Sequence, residues 1–174
     1  LNLSSSCVYP KNMEIALAED FILTGPLEQT NEGYALAKIF VQKLCEYTNK
    51  DYKELNYKTM IPCNLFGRYD NFNLNSGHLL PNIINKIHHA KLNDINKVVI
   101  WGDGSVRREF MYVKDLIDCI FYSLENFSKM PEVMNVGVGR DYSVLDYYKL
   151  VAKNFDWGGS FYFDKSKPVG QKQK

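Results

Sequence analysis

Apolar residues recur along this chain at two spacings, every second position or every third and fourth, and the switches between them mark out a succession of strands and helices. Residues 1–7 begin apolar and turn to serines, as a buried parallel strand does where it emerges from the carboxyl edge of a sheet. From Glu32 to Asn49 the residues Leu36, Ile39, Phe40, Leu44 and Tyr47 keep to one apolar side of a helix, with Asn31 placed to cap it. Tyr57 to Cys63 reads as the next strand, broken near its end by Pro62 and turned into a loop by Asn64 and Gly67. An amphipathic helix over 76–92 carries Leu80, Ile83, Ile84 and Ile87, and Lys97 to Trp101 is a short strand that ends in a Gly102-Asp103-Gly104 turn. A helix from Lys114 to Phe127 and a strand from Met134 to Val138 follow; then come a helix to Phe155 with Ser143 and Asp146 as its capping box and a last strand at Phe161-Tyr162-Phe163. Such alternation predicts an α/β fold built on a parallel sheet.

Composition bounds the partners. The 174 residues, 45% of them apolar, suffice for one sizeable core and fall short of two complete domains. Charges nearly cancel at +1, and no basic stripe points to nucleic acid or an anionic membrane; the cationic end from Lys165 to Lys174 is too short to change that. No apolar run approaches the roughly 20 residues of a membrane span. The four cysteines, Cys7, Cys45, Cys63 and Cys119, show no Cys-x-x-Cys spacing, so neither zinc nor a dithiol redox site is expected, and Cys45 and Cys119 fit core packing. No signal peptide is in view, which makes a reducing cytoplasm the expected compartment.

Candidate chemistry begins at Thr30-Asn31-Glu32-Gly33-Tyr34-Ala35-Leu36-Ala37-Lys38. Four residues apart on a helix, Tyr34 and Lys38 share a face, and the ammonium can favour the ionised phenol, which then gives and takes a proton. With twelve tyrosines and seventeen lysines, about one such pair is expected by chance, and one is present, so its meaning depends on its surroundings. Those surroundings include Ser4-Ser5-Ser6-Cys7-Val8-Tyr9-Pro10 at a predicted strand end, the edge at which open α/β sheets bind ligands.

The segment Ser5 to Pro10, the run around Tyr34 and Lys38, and Asn64-Leu65-Phe66-Gly67 with Asp70-Asn71-Phe72 resemble the GDP-L-fucose synthases. So do Ser76-Gly77-His78-Leu79-Leu80-Pro81, Val99-Ile100-Trp101-Gly102-Asp103-Gly104, Arg108-Glu109-Phe110, Asn135-Val136-Gly137-Val138-Gly139 and Ser166-Lys167-Pro168, in that family's order and near its spacing. The family is part of the extended short-chain dehydrogenase/reductases. The resemblance implies a Rossmann-like parallel sheet, here truncated, with a smaller α/β lobe for the substrate. Residues 1–63 and 105–127 are expected in the dinucleotide-binding lobe, and 64–104 and 128–174 in the substrate lobe. The glycine-rich phosphate loop of the family is absent from the sequence, so the chain is expected to be the carboxyl-terminal part of a longer enzyme, inactive by itself.

By the same resemblance the complete enzyme uses NADP(H) to epimerise and reduce a GDP-4-keto-6-deoxy-D-mannose, giving GDP-L-fucose. Tyr34 is then the proton donor to the carbonyl oxygen, Lys38 its partner, Ser5 a ligand of that oxygen, Cys7 the base and His78 the acid of epimerisation. Ser4, Ser5, Tyr34, Lys38 and His78 would touch the cofactor; Asn64, Lys86, Trp101, Arg108 and Lys167 the GDP-sugar. The family pairs as homodimers through the helix bearing Tyr34 and Lys38 and a neighbouring helix, which is expected to be absent from this chain. This chain departs from the pattern at Lys86, where the family commonly has arginine, at Gly77, where it often has serine, and in a strand around Lys58 to Cys63 one residue longer than usual. These departures leave open a reductase, epimerising or not, on a related GDP-4-keto-6-deoxy sugar such as a heptose, in surface polysaccharide synthesis. A sugar-nucleotide 4-epimerase or dehydratase, against which Cys7 and His78 speak, and a noncatalytic nucleotide-sugar binder are the more distant alternatives.

Overall fold

A computed structural model describes residues 1–11, 13 and 15–167. Pro168 and the cationic end beyond it lie outside the described residues. In chain order the elements are β1 (Asn2–Leu3), α1 (Glu32–Asp51), β2 (Thr59–Pro62), β3 (Asn64–Phe66), α2 (Leu79–Leu92), β4 (Lys97–Trp101) and β5 (Arg107–Arg108). They continue with β6 (Phe110–Tyr112), α3 (Val113–Glu125), β7 (Val133–Val136), β8 (Tyr142–Ser143), α4 (Val144–Asn154) and β9 (Ser160–Asp164). No described helix is long and apolar enough to cross a membrane.

The chain divides into two compact units. The first comprises Leu1–Leu65 and Glu109–Arg140, and the second Phe66–Arg108 with the described residues 141–167. A parallel sheet of order β1-β2-β7 organises the first unit, with Asn2 opposite Thr59 and Thr59 to Pro62 opposite Val133 to Val136. All four residues of β2 are buried, as the central strand of a parallel sheet must be when both faces are covered. Successive side chains point to opposite faces: Ile61 enters a cluster with Val8, Tyr9, Ile22, Leu27, Ala35 and Ile39, and Met60 one with Met111, Leu116, Met130 and Val136. Pro62 is tolerated because it ends the strand.

Three expectations change. The first strand stops at Leu3, because the Ser5 Oγ accepts the Cys7 N–H at 3.3 Å and starts a 3-10 turn over Ser6–Val8. In α1 the buried side is Ala35, Ile39 and Gln42, while Leu36, Phe40, Leu44 and Tyr47 form an outward stripe, each at least half exposed. Residues 128–140 stand in the first unit rather than with the substrate lobe, since β7 pairs with β2 and Cys63 N–H donates to the Val136 carbonyl at 2.9 Å.

In the second unit β4 pairs in parallel with β9, Lys97 to Trp101 opposite Ser160 to Asp164, and β5 pairs antiparallel with β8. The alternating pattern of β4 buries Val98 and Ile100 and turns Lys97, Val99 and Trp101 outward. Helices α2 and α4 pack together, α2 through Leu80, Ile83 and Ile87. Ser143 and Asp146 form the expected capping box, Oγ accepting the Asp146 N–H and the carboxylate accepting the Ser143 N–H, both at 3.1 Å.

Candidate active site

In the first unit the strand end after β1 lies against the opening turns of α1. The Lys38 Nζ donates to the Leu3 carbonyl at 2.9 Å and lies 5.7 Å from the centroid of the Tyr34 ring. One acceptor leaves two N–H groups of the ammonium for a ligand. Tyr34 is half exposed, so its phenol is open to a substrate. Ser5 uses a lone pair to hold the Cys7 amide and keeps its hydroxyl proton to donate. Cys7 is half-buried and packs against the Val8–Ile61 cluster. The structure thus gathers Ser5, Cys7, Tyr34 and Lys38 in one unit.

Ser4 gives an independent indication of a ligand here. It is buried, its N–H donates to the Met60 carbonyl at 2.8 Å, and its Oγ has no partner among the described residues. A buried hydroxyl without a partner costs free energy that a bound polar group would recover. Beside the spare donors of Lys38, it fits the hydroxyl-rich end of a dinucleotide cofactor.

The other half of the predicted set lies in the second unit. His78 is exposed and immediately precedes α2 without capping it through its side chain. Before it, Gly77 packs against the carbonyls of Asn71 and Asn73, and a Cβ there would stand 2.6 Å from the Asn73 oxygen. Serine, frequent in the family at this position, would have to displace that loop. Lys86 on α2 donates to the Val99 carbonyl at 3.3 Å and to the Tyr148 Oη at 3.4 Å, and burial lowers its pKa. Its ammonium lies 5.5 Å from the Trp101 ring centroid, and the Lys167 Nζ lies at the same distance. Trp101, 65% exposed, is therefore a ring with two cations over it and no core residue.

Beside this group an open cavity of about 200 Å³ is lined by Leu74, Lys86, His89, Ala90, Lys97 and Val98 among others. Lys97 in turn lies 4.5 Å over the Tyr162 ring. Arg107 is held by Asp141, Nη2 to Oδ1 at 2.8 Å and Nε to Oδ1 at 3.1 Å. Arg108 donates from Nη1 to the Arg107 carbonyl at 2.7 Å, and its own carbonyl accepts from the Tyr147 Oη at 2.8 Å. Asn64 belongs to the first unit, where its Nδ2 donates to the Glu109 carbonyl at 2.9 Å.

Tyr148, Lys97, Tyr162 and the exposed His89 also belong to this region, and sequence pattern does not mark them. Tyr148 stands 62 positions from Lys86, so no local spacing signals their contact. Burial pushes the Tyr148 phenol up to about 12, which keeps it neutral beside the lysine.

Of the cysteines, Cys63 is half-buried and its thiol is pushed up to about 11, first by burial and then by the Glu109 charge. Burial likewise raises the Cys45 thiol, and Cys119 packs half-buried against the Met60 cluster. Because the thiolate is the nucleophile, alkylation of Cys63 by iodoacetamide, followed by peptide mass spectrometry, is expected to stay slow at pH 7–9 and to rise only as pH nears 11.

The sequence pattern of the NAD dependent epimerase/dehydratase family matches residues 1–137. The chain belongs to this family. It is 56% identical over 174 residues to a GDP-L-colitose synthase of Yersinia pseudotuberculosis, covering all of this chain and 56% of that protein. A GDP-L-fucose synthase of Azorhizobium caulinodans is 52% identical over the same length, covering 55% of it. Among solved structures, a GDP-mannoheptose C4 reductase from Campylobacter jejuni with NADP bound superposes with a TM-score of 0.83 at 28% identity, covering 93% of this chain and 58% of that one. The chain spans a little over half the length of the curated relatives it matches. As in other members of the epimerase/dehydratase family, its fold is an α/β, Rossmann-like one with a parallel sheet.

Proposed function

We propose that the protein to which this chain belongs is an NADPH-dependent epimerase/reductase of a GDP-4-keto-6-deoxy sugar, with GDP-4-keto-6-deoxy-D-mannose as substrate and GDP-L-fucose as product. The observation that carries this is the pairing of Lys38 with both Tyr34 and the Leu3 carbonyl, beside Ser5, Cys7 and the unpartnered Ser4 hydroxyl. Names of relatives support the GDP-sugar; the site supports the chemistry.

A proton beside a ketone is acidic because the resulting charge moves onto oxygen. Cys7 is the proposed base that removes that proton and His78 the proposed acid that returns one, which inverts the carbon. Ser5 donates its hydroxyl proton to the ketone oxygen and so steadies the enolate. Bound NADPH supplies the hydride for the reduction that follows. Tyr34 then gives its proton to the new alkoxide, and the Lys38 ammonium favours the negative charge left on the phenol oxygen. Ser4 and the spare Lys38 donors would hold the cofactor. For the GDP, Trp101 offers a stacking partner, and Lys86, Lys167 and Arg108 offer cations for the diphosphate; Asn64 is proposed as a further contact. The outward stripe Leu36, Phe40, Leu44 and Tyr47 supports pairing of two copies through α1. The absence of a disulfide among the described cysteines supports a reducing cytoplasm.

A second reading, reduction of a longer GDP-keto sugar without inversion, is favoured by likeness to the heptose reductase and by the lysine at position 86. Full-length protein given GDP-4-keto-6-deoxy-D-mannose or a GDP-keto-heptose with NADPH separates the two: the hexose is expected to be consumed faster and to yield GDP-L-fucose by NMR. Preference for the heptose, or an uninverted product, would replace the first reading by the second.

A further inference from the structure

We propose that Glu109 is a positioning residue for the contact Asn64 makes with the GDP-sugar, through a clamp closed within the first unit; the ligand in this inference rests on the function proposed above. The Glu109 Oε1 accepts the Gly139 N–H at 2.7 Å and also the Val138 N–H. At Gly137 a Cβ would stand 2.6 Å from that oxygen and 3.2 Å from the carboxyl carbon, so the turn after β7 lies directly on the carboxylate. The same residue's carbonyl accepts the Asn64 Nδ2 at 2.9 Å. With its amide nitrogen so engaged, Asn64 keeps its carbonyl end, an acceptor, for an N–H or O–H of the GDP portion of the ligand. One residue earlier, Cys63 N–H donates to the Val136 carbonyl at 2.9 Å, which ties the β2–β3 junction to the turn that Glu109 grips. Side chain and main chain of Glu109 therefore join two segments more than 60 positions apart.

Both turn amides converge on one oxygen, so geometry rather than net charge is what the clamp requires. Glutamine keeps an oxygen at that point; alanine does not. The test uses full-length protein as wild type, E109Q, E109A, G137A and the E109A/G137A double variant, with GDP affinity by calorimetry and turnover of the keto sugar. E109A and G137A are each expected to raise the GDP Kd and the KM about 10-fold with kcat within about 2-fold, and E109Q to stay within about 3-fold of wild type. In the double variant the alanine methyl enters the space the carboxylate left, so its defect is expected to be no larger than about that of the worse single variant. Unchanged affinity in E109A, equal damage in E109Q, or a double defect equal to the product of the singles would each overturn the clamp. Should E109A fail to fold, a G137A variant with wild-type affinity overturns it as well. Wild-type protein that binds no GDP counts against the GDP-sugar function itself, whereas GDP binding intact in wild type and E109A alike counts against Glu109 alone.

Discussion

Substituting phenylalanine for Tyr34 in the full-length protein is expected to lower the rate of ketone reduction by about 10³-fold, within the range that a positioned proton donor contributes. The ring, its place over Lys38 and the Lys38 bond to the Leu3 carbonyl all survive the change; only the phenol proton is lost. NADPH binding, followed by nicotinamide fluorescence, is therefore expected to stay within about 3-fold of wild type, so the loss falls on kcat rather than on KM. Lys38→Met should differ in kind, weakening cofactor binding and turnover together, because in the proposed function the ammonium serves both the cofactor and the charge on the phenol. Unchanged turnover in the Tyr34 variant would remove the catalytic assignment.

The second large effect is expected at Cys7. Serine in its place keeps the size and half-burial of the side chain and the Ser5 bond to its amide, but an alcohol is a far weaker base than a thiolate. Uptake of solvent deuterium at the carbons beside the ketone should fall by about 10²-fold to 10⁴-fold, the contribution of a general base. Reduction depends on Tyr34 and Lys38, so it should persist and give a reduced but uninverted sugar. Inversion at the wild-type rate in this variant would exclude Cys7 as the base and direct attention elsewhere in the strand end.

How much of this could be read from sequence varied with the distance over which each feature is decided. Helix α2, strand β4 and the Ser143–Asp146 box are written in residues a few positions apart, and they stand where local pattern puts them. The Tyr34–Lys38 pair is equally local, one helical turn in length. In α1 two apolar stripes compete, and hydrophobicity does not decide between them: Ala35 and Ile39 face the sheet because the Val8–Ile61 cluster lies on their side, and the bulkier Leu36, Phe40, Leu44 and Tyr47 face out. Strand β7 stands in the first unit because its parallel register with β2 is fixed by pairing across more than 70 positions, which no local pattern marks. Ser5 ended the first strand by a side-chain bond that competes with the ladder. In the site, Lys86 with Tyr148 and Glu109 with the turn at Gly137 are contacts of distant segments, and nothing in their neighbours' spacing marks them.

Central to the proposed function is that the carbons flanking the ketone are deprotonated before it is reduced. Full-length protein incubated with GDP-4-keto-6-deoxy-D-mannose and NADPH in deuterated water, with the product read by NMR, tests this most directly. Deuterium at both carbons flanking the former ketone, together with inverted configuration there and one NADPH consumed per product, is the expected result. A reduced product that carries protium at both positions and the substrate's configuration would contradict it.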